Sequence, residues 1–177
     1  MKDDIIALAC TQKESPDMSE SNVKLIVYAQ KQTAELFVDG QLLKKYLVST
    51  SKNGLGCEND SYKTPTGLFR VSEKIGANAV PGTVFESRLP TGEVWSSDKS
   101  NPLHDTKDDL KLTRILWLDG CESQNANTKK RYIYIHGTNR EDLLGTPASQ
   151  GCIRMSNKDI IELFDLMPVG ASVEVQS

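Results

Sequence analysis

The chain has 177 residues, with 21 basic and 24 acidic side chains and a formal net charge of −3, which fits one domain with a substantial core. Because the basic residues are scattered, this composition argues against nucleic acid binding and against a polybasic membrane patch. No run of residues approaches the roughly 18 apolar side chains that a membrane-spanning helix needs, so we expect no transmembrane segment.

The N-terminal residues 1–22 are predicted to form a flexible leader ahead of a single domain over residues 23–177. The stretch Ile5–Cys10 is similar to the end of a lipoprotein signal. However, its apolar run of about five residues is shorter than the roughly 7–15 of a signal core, and no net-positive region precedes it. We therefore expect neither a signal peptide nor a lipid on Cys10.

Next along the chain, three strands are predicted to form a β-meander. Residues 23–28 and 34–38 are rich in β-branched and apolar side chains, which is typical of strands. Asp39-Gly40 supplies the residues that accept positive φ in a tight hairpin turn, and a returning strand runs to Val48. Residues 49–65 are rich in Ser, Asn and Gly and are predicted to form a loop.

The middle of the chain alternates between strands and irregular structure. Residues 68–75 are predicted to form a strand. Residues 76–112, which contain three prolines, are predicted to form an irregular insertion that we call the flap, with strand-like pieces near Val84 and Val94. Strands are predicted over residues 114–118 and over residues 131–136, the second ending at His136.

A single helix is predicted to begin near Asn157. Ser156 can cap its N-terminus, and Pro168 and Gly170 end it. An apolar stripe at helical spacing predicts its buried face, which consists of Ile160, Leu163, Phe164 and Met167. A closing strand is predicted over residues 172–175. Many strands, long loops and one helix indicate a mainly β domain.

Two segments carry residues with chemical potential. His136 is one of two histidines in the chain and lies at a strand end in His136-Gly137-Thr138, whereas Cys152 lies in Ser149-Gln150-Gly151-Cys152, shortly before the helix. A Cys–His pair is the minimum equipment for thiol-based acyl transfer, because the imidazole takes the thiol proton and the thiolate attacks a carbonyl.

These segments resemble the signature of the L,D-transpeptidase catalytic domain of the YkuD type. The resemblance includes the residues from Ser149 to Asn157 and the segment Thr64-Pro65-Thr66-Gly67-Leu68-Phe69, and it runs from about residue 23 to residue 175. It implies a β-sandwich with a helix against it. The family usually has His before the Gly-Cys pair, where this chain has Gln150.

The resemblance also implies roles for the site residues. Cys152 is the expected nucleophile, and His136 is the expected base and later acid, oriented by the backbone carbonyl of Gly137. The backbone of Gly151 and Cys152 is predicted to face the oxyanion. Ser149 and Gln150 are assigned to the architecture of the site, with a simple turn role as the alternative for Ser149.

Three further residues are assigned to the substrate side of the site, namely Thr138, Arg154 and Asn157. A guanidinium two residues after the nucleophile can hold a substrate carboxylate bidentately. The alternative for Arg154 is a salt bridge inside the fold, and the alternative for Asn157 is a structural cap.

The implied function is cysteine-dependent acyl transfer on peptidoglycan stem peptides through a thioester, without a cofactor. Its products are 3→3 cross-links or proteins attached to peptidoglycan, with stem peptides as donor and acceptor and a lipoprotein as a further candidate acceptor. Hydrolysis of the same bond, as an L,D-carboxypeptidase or amidase, is a close alternative. A non-catalytic peptidoglycan-binding module is a second alternative, and a redox protein, which lacks support from a C-x-x-C motif, is a remote third.

Location, metal binding and disulfide bonding complete the expectations. The implied substrate places the protein in the periplasm or cell envelope, with a cytoplasmic enzyme acting on recycled wall peptides as the alternative. His104 and the nearby Asp105, Asp108 and Asp109 do not have a metal-ligand spacing, so we expect no metal site. Whether Cys57 and Cys121 form a disulfide stays open.

Overall fold

The computed structural model describes residues 22–177, so the expectations for the leader and for Cys10 lie outside the described residues. This part of the chain contains ten strands, one α-helix and two short 3-10 turns, at Ser123–Asn125 and Glu141–Leu143. The strands are β1 (Val23–Tyr28), β2 (Thr33–Val38), β3 (Gln41–Leu47), β4 (Gly67–Ile75), β5 (Thr83–Glu86), β6 (Leu89–Val94), β7 (Lys111–Gly120), β8 (Tyr134–Gly137), β9 (Ile153–Met155) and β10 (Ser172–Gln176), and the helix is α1 (Asn157–Leu166).

The predicted meander is confirmed. Strands β1, β2 and β3 are joined by antiparallel pairing, and alternate residues of β1 are buried, as the period of two in its apolar side chains requires. Asp39 and Gly40 both have positive φ, of 50° and 79°, which matches the twist of a two-residue hairpin turn.

The strands form one mixed sheet that curls around a common core. From β3 the order runs β3-β2-β1-β10-β4-β7, with β10 parallel to β1, and β7 then pairs with both β5 and β8. Strand β9 pairs in parallel with β8. Its far side meets the segment after β3, where Ser49 N donates to Arg154 O at 3.0 Å and Arg154 N donates to Ser49 O at 2.9 Å.

Helix α1 packs against β7 and β8 and completes the core. The side chain of Ser156 accepts a hydrogen bond from Asp159 N, as the cap prediction requires. The four residues of the predicted stripe are all buried. The prediction of a mainly β domain with one helix after the Cys segment is therefore confirmed.

Two local predictions need correction. The flap contains a regular hairpin, β5–β6, closed by Ser87 and Arg88 at positive φ and joined to β7 through β5. The strand-like pieces predicted near Val84 and Val94 correspond to β5 and β6, although β6 is exposed along its whole length and shows no apolar alternation. The strand that carries His136 begins at Tyr134 rather than residue 131, because Tyr132 lies in a turn with a φ of 56°.

Within residues 22–177, no helix has the length and apolar character needed to cross a membrane.

Candidate active site

The pairing of β8 with β9 brings the histidine and cysteine segments together. His136 is aligned with Arg154 in the parallel register, and Cys152 directly precedes β9. The Tyr134 N–H donates to Cys152 Sγ at 3.4 Å, and the Cys152 thiol donates to Tyr132 O at 3.5 Å. The thiol is thus held at the start of β8, two residues before His136 on the same strand.

The tautomer of His136 follows from its surroundings. The imidazole is fully buried, and its Nδ1 lies 2.7 Å from Gly137 O. Because a carbonyl oxygen only accepts hydrogen bonds, Nδ1 carries the proton and Nε2 carries the free lone pair. Among the described residues, Nε2 has no hydrogen-bond partner. The ring therefore presents an unused proton acceptor.

Burial sets the protonation of both groups. It lowers the pKa of His136 to about 4, against an opposing effect of the Asp109 charge. It raises the pKa of the Cys152 thiol to about 11, although the Tyr134 N–H favours the thiolate. Strand β9 separates Cys152 from the helix N-terminus at Asn157. Cys152 therefore lies outside the single turn over which the helix macrodipole is effective. At neutral pH both groups are uncharged.

The turn before Cys152 is fixed by its own hydrogen bonds. Ser149 Oγ donates to Cys152 O at 2.6 Å and accepts from Gly151 N at 3.2 Å. Gly151 has a φ of 120°, which favours glycine, and its carbonyl accepts from Thr64 Oγ1 at 2.9 Å. Ser149 thus has the turn role kept as an alternative, and the Gly151 N–H already has a partner.

Cys152 lies at the edge of a cavity of about 520 Å³. The flap contributes one wall, which includes Phe85 and Arg88. Tyr132, Tyr134 and the exposed Gln150 also line the cavity. A cavity of this size, lined by apolar and charged groups beside a thiol, has the dimensions of a small-ligand site.

The comparison with known families bears directly on this site. The family model of the L,D-transpeptidase catalytic domain, YkuD, matches residues 22–175. The chain belongs to this family. The predicted resemblance is therefore confirmed, and the chain carries an L,D-transpeptidase catalytic domain.

Individual relatives match over a short part of the chain. YkuD of Bacillus subtilis, named as an L,D-transpeptidase, is 48% identical over 46 residues, which is 26% of this chain and 28% of that protein. YqjB of the same organism is 50% identical over 46 residues, or 26% of either protein. The matched segment thus spans about a quarter of the length of these relatives.

Solved structures extend the likeness to most of the fold. An L,D-transpeptidase from Mycobacterium smegmatis aligns with a TM-score of 0.55 at 21% identity, over 89% of this chain and 59% of that chain. L,D-transpeptidase 3 from Mycobacterium tuberculosis, in complex with a faropenem-derived adduct, aligns with a TM-score of 0.55 at 18% identity, over 89% and 61% respectively. At this identity the likeness establishes the fold.

In this L,D-transpeptidase domain Arg154 forms a salt bridge within the protein through its guanidinium. Its side chain is 4% exposed, and Nη2 lies 2.7 Å from Asp109 Oδ2 and donates to Ala148 O at 3.1 Å. The structure thus places Arg154 in the salt bridge that the sequence left as an alternative. Asp109 lies at the end of the flap, and its pairing with Arg154 joins the flap to β9.

Thr138 and Asn157 lie behind the site, outside the lining of the Cys152 cavity. Asn157 Nδ2 donates to Thr138 O and to Glu141 Oε1, both at 2.9 Å, and Asn157 Oδ1 accepts from Thr113. The Thr138 hydroxyl accepts from Arg140 N. These contacts give Asn157 the structural role kept as an alternative and give Thr138 a turn role.

The same Asn157 explains why a glycine follows His136. A Cβ atom at Gly137 would lie 2.5 Å from Asn157 Oδ1 and 2.8 Å from Leu112 O. Because residue 137 has no side chain, its backbone can approach Asn157 and Leu112 closely. This approach places the Gly137 carbonyl where it orients the imidazole of His136.

Sequence reasoning missed several residues of the site. The N–H that contacts the thiol belongs to the backbone of Tyr134, and a backbone donor leaves no signal in the residue types. Asp109, Lys111 and Arg131 also line the cavity. Their distance in sequence from Cys152 left no local pattern to find.

Metal and thiol chemistry elsewhere is limited in the described chain. Residues 22–177 contain no group of three or more His, Cys, Asp or Glu arranged to hold a metal ion. His104 Nε2 lies 3.7 Å from Asp105 Oδ1, and that carboxylate is almost fully exposed. Cys57 and Cys121 have free thiols, which answers the open question of a disulfide between them.

Proposed function

We propose that the chain is a cysteine-dependent L,D-transpeptidase that acts on peptidoglycan stem peptides. The observation that carries the proposal is the unpartnered Nε2 of a buried, neutral His136 on the strand beside the Cys152 turn. A proton acceptor without another partner, next to a thiol at a cavity, is the arrangement that general-base activation requires.

Proton transfer accompanies attack in this mechanism. Because the neutral forms of both groups dominate at pH 7, a stable thiolate–imidazolium pair does not form in the free protein. The thiol hydrogen leaves Tyr132 O and turns to His136 Nε2 as Sγ bonds to the carbonyl carbon. The carbonyl belongs to the L-centre of the diamino acid in the donor peptide.

The oxyanion then needs a donor. The Gly151 N–H is engaged by Ser149, so we assign the Cys152 N–H to the developing negative charge. Collapse of the tetrahedral intermediate breaks the C–N bond. The His136 imidazolium gives its proton to the leaving amine of D-alanine, and a thioester on Cys152 remains. Its low pKa makes His136 an effective acid in this step.

An amine resolves the thioester in the second half of the reaction. The amine of an acceptor stem peptide yields a 3→3 cross-link, and a lipoprotein amine yields an attached protein. His136 Nε2 takes the proton of the attacking amine and returns it to Sγ as the C–S bond breaks. The chain's own residues supply every proton movement, so we propose no cofactor. Such substrates place the activity in the periplasm or cell envelope.

Water in place of the amine would make the protein an L,D-carboxypeptidase. The experiment incubates the full chain with a tetrapeptide stem and follows intact protein and products by mass spectrometry. We expect an acyl adduct on Cys152 and peptide dimers. The Cys152→Ala variant should form neither, whereas Cys121→Ala, which removes an exposed free thiol, should form both.

Free tripeptide without dimers would mean that the protein hydrolyses the bond and does not transfer the acyl group. The absence of any adduct would mean that the domain is a non-catalytic binding module. A second probe addresses the thiol itself. One solved relative is described with a faropenem-derived adduct. We expect a penem to add its mass to this chain and not to the Cys152→Ala variant.

A further inference from the structure

The cavity beside Cys152 is lined by three cationic side chains, and two of them are already engaged. The Arg131 guanidinium donates to Gly56 O at 3.2 Å, to Ser61 Oγ at 3.2 Å and to Lys63 O at 2.7 Å. These bonds tie it to the loop that precedes β4.

Arg88, at the tip of the β5–β6 hairpin, is engaged with aromatic groups. Its guanidinium lies 4.5 Å from the ring centre of Trp117 and 5.2 Å from that of Tyr132, and it donates to Tyr134 OH at 3.2 Å. Such stacking holds the hairpin against the sheet, and the face of the guanidinium is covered by the aromatic rings.

The third cation is Lys111, which has no counterion among residues 22–177. Its ammonium donates to Asp109 O at 3.4 Å, and no carboxylate of the described residues pairs with it within 4 Å. The Asp109 carboxylate, the nearest candidate in sequence, pairs with Arg154 instead. Lys111 nevertheless lines the same cavity as Cys152. A half-buried ammonium without a partner charge favours binding of an anion from outside the chain.

The proposed donor substrate carries such an anion. The D-alanine that leaves has its carboxylate one carbon away from the nitrogen of the scissile bond, so this charge must lie close to Cys152 Sγ during attack. Arg154 is the obvious candidate from the sequence, but its buried guanidinium is already paired with Asp109. Breaking that pair would leave a carboxylate partly buried without its partner, which is costly.

We propose that Lys111, rather than Arg154, binds the terminal carboxylate of the donor stem peptide. The inference rests on the proposed function and assigns the specificity for a free C-terminus to one residue of the flap end. Lys111 thus acts as a substrate-binding residue. The substrate carboxylate neutralises an ammonium that no carboxylate of the described chain neutralises in the free protein.

The test compares two donors, a tetrapeptide with a free C-terminal carboxylate and the same peptide with a C-terminal amide. The rate of acyl-enzyme formation is measured by mass spectrometry for the wild type, Lys111→Met and Lys111→Arg. Lys99→Met is the matched control, because it removes an exposed charge from the flap away from the cavity. The ratio of the two rates within one variant cancels any change in thiol reactivity.

We expect the wild type and Lys99→Met to favour the carboxylate donor by about 10-fold or more, as a charge-assisted hydrogen bond provides. Lys111→Met should lower this ratio to about 1 through slower reaction of the acid donor, and Lys111→Arg should keep most of the preference. Discrimination unchanged in Lys111→Met would overturn the inference, as would its loss in Lys111→Arg. A wild type that neither donor acylates would instead contradict the proposed function.

Discussion

The burial of neutral His136 predicts that the domain loses stability in mild acid. Its pKa is about 4 in the folded chain, against 6.5 for an unperturbed imidazole. Between these values the unfolded chain binds a proton that the folded chain does not, so the free energy of unfolding falls as the pH falls from 6.5 to 4. A difference of about 2.5 units corresponds to about 3 kcal/mol, at 1.36 kcal/mol per unit.

The assay isolates this contribution by comparing variants. Urea unfolding of the wild type and of His136→Gln is followed between pH 7.5 and pH 4. Groups that titrate in this range without interacting with His136 affect both proteins equally. We expect the wild type to lose about 3 kcal/mol more than His136→Gln over this range, because the glutamine cannot titrate.

His104→Gln serves as the matched control, since it removes the chain's other histidine from a loop of the flap. We expect it to keep the acid sensitivity of the wild type. Parallel curves for the wild type and His136→Gln down to pH 4 would refute the reasoning, because they would mean that the imidazole titrates alike in the folded and unfolded chains.

Three more predictions concern the neighbours of His136. Iodoacetamide labelling of Cys152, mapped by peptide mass spectrometry, should accelerate as the pH rises towards 11; a plateau near pH 7 would contradict the raised pKa. Asp109→Asn should lower the free energy of unfolding by about 3 kcal/mol by stranding the buried Arg154 charge, whereas Asp105→Asn should leave it unchanged; equal urea midpoints would argue against a structural ion pair. Gly137→Ala should cost about 1–3 kcal/mol by clashing with an amide oxygen and a backbone carbonyl, and should slow acylation; wild-type stability and rate would show that the contact relaxes freely.

Local patterns in the sequence predicted the parts of the fold that rest on local physics. The alternation in β1 and the capped stripe of α1 reflect which faces are buried, and both match the structure. The pair of His136 and Cys152 was also visible, because its residues are rare and stand in a recognisable context. Strand β6 was visible only as a strand-like piece near Val94, since every one of its residues is exposed and no apolar alternation marks its length.

Contacts between distant segments stayed beyond reach. Arg154 and Asp109 lie on different elements, and nothing in either segment indicates which of several acidic residues would reach the guanidinium. The partner of the Gly151 N–H depended on the rotamer of Ser149, which a sequence does not specify. The roles of Thr138 and Asn157 depended in the same way on how the ends of β7, β8 and α1 meet.

The position of β10 has a consequence for how the chain is made. This strand joins β1 to β4, so residues 23–28 find a sheet neighbour among the last residues described. At about 5–20 residues per second, a ribosome needs on the order of ten seconds to make the chain between them. During that time β1 of the meander lacks its neighbour β10. The sheet that holds the thiol and imidazole strands can join the meander only after β10 has been synthesised.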